Sequence, residues 1–172
     1  MTPVRPTLLS SCAKAATAAE ARFRIDYPLA PSRATRVVAL DEEAADVVRR
    51  VAEQPWSTAR FYFWRASDDP DLQTGSPDDL RLRRIDGSVA VLGEELADVD
   101  AAVMVASADA GAAAASSIGL ACTLRGIMTA GLVLSDGSRV SSALSALRPH
   151  ARVLMVPGDE DDLFQLLTAI RA

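Results

Sequence analysis

The chain has 172 residues, 49% of them hydrophobic and 24% charged, which suits one sizeable core and excludes both a disordered chain and two full domains. A net charge of −5 with a pI near 4.9 excludes a nucleic-acid binder that relies on a basic surface. Two cysteines, Cys12 and Cys122, are too few for a disulfide framework or a cysteine zinc site, and they read as reduced thiols of a cytoplasmic protein.

Residues 1–34 read as an arm. Residues 7–21 are alanine-rich and favour a helix. They do not read as a signal peptide, because Lys14 and several polar residues interrupt them. Prolines at 28 and 31 then make residues 27–33 an extended linker. No stretch of the chain approaches the ~20 apolar residues that a membrane helix needs.

Residues 35–172 read as a single α/β domain. Residues 36–40, Arg-Val-Val-Ala-Leu, form a short apolar strand. Asp41, Glu42 and Glu43 follow, and acidic residues suit the start of a helix. That helix carries Ala44, Val47, Val48 and Val51 on one face. A second strand is expected at the aromatic run 61–64, and a solvated loop at 66–79. Residues 80–83 and 88–92 flank Asp86-Gly87, a strong hairpin signal. Three strand–helix repeats then follow, with strands at 101–106, 127–134 and 152–156. The helix stripes between and after them run through Val140, Ala143, Leu144 and Leu147, and through Leu163, Leu166, Leu167 and Ile170. Such repeats imply right-handed crossovers and a parallel sheet covered on both faces.

Ligands of such sheets bind beyond the carboxyl ends of the strands, beside helix N-termini. The foremost candidate is the loop Ser107, Ala108, Asp109, Ala110, Gly111, Ala112. Ser107 and Asp109 offer acceptors, Gly111 lets a ligand approach the backbone, and the small residues leave the helix N-terminus open to an anion. On this reading, replacing Gly111 by Val lowers affinity while the fold survives. The alternative is that the loop merely caps its helix. Secondary candidates are Asp41, Ser135, Asp136, Gly158 and Asp159. The acidic run 159–162 lacks the spacing of a calcium loop. Asp41–Glu43 lacks the strand-end lysine of a receiver domain, Lys14 being the chain's only lysine. His150, the sole histidine, lies between a helix and a strand. Neither a Gly-x-Ser-x-Gly elbow nor a glycine-rich phosphate loop is present.

Residues 126–133, Gly-Ile-Met-Thr-Ala-Gly-Leu-Val, and 153–159, Val-Leu-Met-Val-Pro-Gly-Asp, resemble two strands of the bacterial tubulin-like cell-division GTPases. The resemblance spans about residues 99–163 and implies a nucleotide-type fold. The family's glycine- and threonine-rich phosphate loop is replaced by residues 107–112, where Gly111 alone survives. Its other glycine-rich turn is replaced by Leu40-Asp-Glu-Glu43, whose carboxylates would repel a triphosphate.

The expectation is therefore a three-layer α/β sandwich with a mostly parallel, Rossmann-like sheet, an N-terminal helical arm and an inserted β-hairpin. The expected function is a non-catalytic binding or protein-interaction module of the bacterial cytoplasm, without GTP hydrolysis, catalytic residues, metal or cofactor. The alternative is a transferase-type enzyme that takes an anionic or phosphorylated metabolite at residues 107–112. Expected partners are a small anion, a second copy of the chain or another protein, and neither nucleic acid nor a membrane.

Overall fold

The computed structural model describes residues 31–68, 75–135 and 140–172. The chain divides into a unit ending at Pro31 and a second unit, Ser32–Ala172, to which everything below refers. The expected N-terminal helix and Asp136 lie outside the described residues.

Seven strands form one sheet in the order β4-β3-β2-β1-β5-β6-β7. They are β1 (Thr35–Ala39), β2 (Ala59–Phe63), β3 (Arg81–Arg84), β4 (Val89–Val91), β5 (Ala101–Ala106), β6 (Met128–Val133) and β7 (Val153–Met155). The helices are α1 (Glu42–Ala52), α2 (Leu92–Glu95), α3 (Ala112–Arg125), α4 (Ser141–Leu147) and α5 (Glu160–Ile170). β2, β1, β5, β6 and β7 are mutually parallel, and the β3–β4 hairpin runs antiparallel beside β2.

Period-2 alternation of the strands divides the core into two layers. Val37 and Ala39 of β1, with Val103 and Val105 of β5, pack against Ala44 and Val48 of α1 and Leu163 and Leu167 of α5. Val38 and Met104, one residue out of phase, pack against Ile118 and Cys122 of α3 and Leu147 of α4. The two layers follow from topology. The chain steps from β1 to β2 in one direction and from β5 through β6 to β7 in the other, so crossovers of a single hand place α1 and the α3–α4 pair on opposite faces. The direction reverses between β1 and β5, which makes their carboxyl ends the expected ligand crevice.

Local signals explain the elements. Asp41 caps α1 through the Ala44 N–H, and Gly126, at a φ of +69°, ends α3 in the left-handed region. The hairpin turns on residues 85–87. The Arg84 N–H donates to Ser88 O, the Asp86 carboxylate accepts from the Ser88 N–H, and Gly87 takes the left-handed φ of +84° that a three-residue loop requires. β7 departs from the expected buried strand. It is short and ends the sheet, with Val153 47% exposed. No helix among the described residues is long and apolar enough to cross a membrane.

The hairpin and α2 are fastened to the parallel strands by one buried carboxylate. Glu95 accepts from the Tyr62 hydroxyl of β2 and from Arg84 of β3, and the carbonyl of the same residue accepts from Arg36 Nε at 2.9 Å. Burial alone would raise the Glu95 carboxyl, but the hydrogen bonds from Tyr62 and Arg84 and the neighbouring guanidinium charges outweigh it and hold it below its usual range. Burial, aided by Glu95, pushes the Tyr62 phenol up to about 12.

A carboxyl whose folded pKa is depressed stabilises the fold fully above its ordinary value and loses that contribution as pH falls through the folded value. The melting-temperature gap between wild type and Glu95→Gln is therefore expected to be full above pH 4.5, the carboxyl's ordinary value, and to close as the buffer is taken below it. Thermal melts from pH 7 to pH 3 provide the check, and a gap that widens on acidification contradicts the assignment.

Candidate functional site

The carboxyl end of β1 delivers Asp41 to the point where the strand order reverses. Its backbone is extended (φ −154°, ψ 172°), the usual conformation of a residue capping a helix. Oδ1 accepts from the Ala44 N–H at 2.9 Å and from the Ser107 hydroxyl at 2.5 Å. Oδ2 accepts from the Ser107 N–H at 2.7 Å and the Ala108 N–H at 3.1 Å. Amides in this position hold a phosphate or carboxylate ligand in many parallel-sheet proteins. Here a side chain of the protein itself supplies the anion, and four donors from both sides of the crevice converge on it.

The remaining residues of the foremost candidate loop are also engaged internally. Asp109 Oδ1 accepts from the Ser142 and Ala143 N–H groups at 2.8 and 2.9 Å. It thus caps α4, whose own N-cap residue, Val140, makes no side-chain bond, rather than the helix that follows it in sequence. A Cβ added to Gly111 would lie 2.4 Å from the Leu40 carbonyl oxygen and 2.5 Å from Leu40 Cβ. The close backbone approach read from the sequence is real, but Leu40 makes it, and the expectation that the fold tolerates valine there is corrected accordingly. Ala110 is exposed. Ala112 helps line an open groove of about 560 Å³ between α3 and α4, which Ser116, Ser141, Ser142 and Ser145 also border.

The secondary candidates are spread along the same sheet end. Ser135 Oγ is buried with no hydrogen-bond partner among the described residues. The Gly158 N–H donates to the Val133 carbonyl at 2.8 Å, and a Cβ there would meet Leu132 Cδ1 at 2.1 Å. Asp159 forms a reciprocal capping box with Asp162 at the start of α5, and Glu160 pairs with Arg50 of α1 at 2.5 Å. The acidic run at 159–162 is thus largely explained by helix capping and an ion pair. Among the described residues no group of three or more His, Cys, Asp or Glu is placed to hold a metal ion.

His150 packs onto α3, where a Cβ on Gly119 would come within 2.3 Å of His150 Cδ2. Its Nδ1 lies 3.0 Å from Thr123 Oγ1, whose hydroxyl proton is given to the Gly119 carbonyl. Nδ1 therefore carries the proton and donates. Sequence reasoning passed over a second polar assembly, Arg36 with Arg60 and Glu95 at the amino end of the sheet. Its one sequence signal was an arginine heading an otherwise apolar strand. Compared with known proteins, the chain matches no family model and no curated protein.

Replacing Asp41 by Ala removes the acceptor for four donors and leaves partly buried amides unpaired. A loss of about 3 kcal/mol in urea denaturation is expected, and a loss below about 1 kcal/mol contradicts the closure of the crevice by this carboxylate.

Asp109→Asn keeps an oxygen facing the α4 amides and is expected to be near neutral, whereas Asp109→Ala costs about 1 kcal/mol. Gly111→Val is expected to lower the yield of folded protein or its stability more than either Asp109 variant does, because the Leu40 backbone cannot retreat without shifting β1. Circular dichroism melts of the three variants provide the comparison.

Proposed function

We propose that the protein is a non-catalytic α/β binding or protein-interaction module of the bacterial cytoplasm, sharing a nucleotide-type framework with the tubulin-like GTPases but neither binding nor hydrolysing GTP. The observation that carries this reading is the Asp41 carboxylate, which takes up the amide donors at the switch point. A nucleotide phosphate brought there would have to displace a hydrogen-bonded carboxylate and endure its charge, since two like charges at ~4 Å repel by about 4 kcal/mol at intermediate dielectric. Asp109, the acidic residue of the loop itself, is committed to α4, which weighs against the transferase alternative at residues 107–112. The two segments that resemble the family fall on β6, next to β5, and on the edge strand β7 with the turn into α5. Leu120 and Leu124, one turn apart on α3 and 43% and 74% exposed, support recognition of a protein surface.

Differential scanning fluorimetry with GTP, GDP and ATP, each with and without magnesium, tests the reading. Melting temperatures are expected to stay within ~1 °C of the ligand-free protein, and phosphate release to match a heat-treated control. A shift of several degrees with one nucleotide, which signals binding to the folded state well below the ligand concentration, overturns it.

A further inference from the structure

At the amino end of the sheet, opposite the closed crevice, two arginines, Arg84 and Arg60, share one buried carboxylate, and a third, Arg36, lies beside it. Glu95 is 7% exposed. One of its oxygens is taken by Arg84, and the other by the Tyr62 hydroxyl, with Arg60 Nη1 at 3.8 Å. Arg36 is 8% exposed yet has no carboxylate within ion-pair distance among the described residues. Its guanidinium gives Nε to the Glu95 carbonyl at 2.9 Å and Nη1 to the Thr35 carbonyl at 3.3 Å, which leaves donors of the five-proton fork uncommitted. A guanidinium this buried without a counter-ion is costly. Burial lowers its pKa, and the charge of nearby Arg60 lowers it further, against the opposing pull of Tyr62 and Glu95.

Arg36 and Arg60 line a cleft of about 520 Å³ that also holds Ser57, Thr58, Glu94, Glu95 and Asp98, a size suited to a small molecule. Thr58 Oγ1 donates to the Arg33 carbonyl and keeps its acceptor capacity. Glu94 and Asp98 make no ion pair among the described residues. Among the described residues the cleft therefore presents one guanidinium, Arg36, that no carboxylate pairs, a second, Arg60, held only at 3.8 Å from Glu95, and two acids without a cation.

We propose that this cleft binds a small zwitterion of the amino-acid class, its carboxylate against the Arg36 and Arg60 guanidiniums and its ammonium toward Glu94 and Asp98. Planar guanidinium forks match a carboxylate. Arg84 offsets Glu95, and the two rim acids bring the remaining charge near balance, which disfavours a phosphate dianion and favours a ligand that carries both signs. The site lies at the sheet end away from Asp41 and does not depend on the reading of the switch point, so it can fail while that reading stands.

The test is a titration of the full chain with each of the twenty standard amino acids, with acetate and with inorganic phosphate. The readouts are melting temperature and the ¹⁵N-resolved Nε–H signal of Arg36. At least one amino acid is expected to bind saturably and move that signal, with acetate and phosphate at least 10-fold weaker. Arg60→Ala, at a side chain 66% exposed and tolerant of truncation, is expected to weaken binding about 10-fold or more, as is Glu94→Gln, in line with loss of a charged hydrogen bond. Arg36→Lys keeps the charge and loses the fork, and is expected to weaken binding while the protein still melts cooperatively. The proposal is overturned if no amino acid binds saturably by about 20 mM, a weak-millimolar ceiling. Tighter binding of phosphate, or affinity unchanged in both Arg60→Ala and Glu94→Gln, overturns it as well.

Discussion

The arrangement of this domain depends on the Asp41 carboxylate at the reversal of strand order. Parallel sheets of this type bring helix and loop amides together around the carboxyl ends of their two central strands, and those donors must find acceptors. Asp41 satisfies the start of its own helix, α1, and the turn leaving β5 at the same time. Bonds to a charged acceptor are the stronger kind. By joining β1–α1 to β5–α3 they fix the spacing of the central pair of strands from the loop side as well as through the ladder.

Other contacts extend outward from that junction. With the turn after β5 held on Asp41, Gly111 is pressed against the Leu40 backbone, an approach only a residue without a Cβ allows. Asp109, two residues earlier, reaches α4 and supplies the cap its sequence lacks. α3 and α4 are thereby oriented with serine and alanine faces toward each other. The cost of a ligand at this end would be the loss of contacts that hold three segments together. This ties the proposed absence of nucleotide chemistry to the fold rather than to a single missing motif.

The opposite end of the sheet is built differently. Glu95 fastens the inserted hairpin and α2 to β2 and, through its carbonyl, to Arg36 of β1. Its carboxylate pairs with Arg84 and Arg60, and among the described residues Arg36 is left with backbone carbonyls alone. The two ends thus contrast: at the switch point Asp41 takes up the donors around it, and the amino end keeps a guanidinium with uncommitted ones. A binding role for this domain is most economically sought where hydrogen-bonding capacity is left over.

The elements themselves were written in local sequence. Apolar runs marked the parallel strands, stripes at helical spacing marked α1, α4 and α5, and Asp86-Gly87 marked the hairpin, because each signal depends on neighbours within a turn or a few residues. The importance of Asp41, Asp109 and Gly111 was partly legible too, since a strand that ends in an acid or a small-residue turn announces a crowded sheet end. What occupied that end was not. Ser107 is 66 residues from Asp41, and Ser142 is 33 from Asp109, so whether those groups face a ligand or each other is set by how the crossovers bring them together. The same holds for Arg36 and Glu95, 59 residues apart. An arginine at the head of an apolar strand and a glutamate in a four-residue helix carry no joint pattern along the chain. Sequence by itself determined the parallel strands, the hairpin and the longer helices with their buried stripes, though neither the short α2 nor the exposure of β7. Only the tertiary structure decided which charges are satisfied within the protein, because hydrogen-bond partners are chosen by proximity in space, and periodicity along the chain does not encode it.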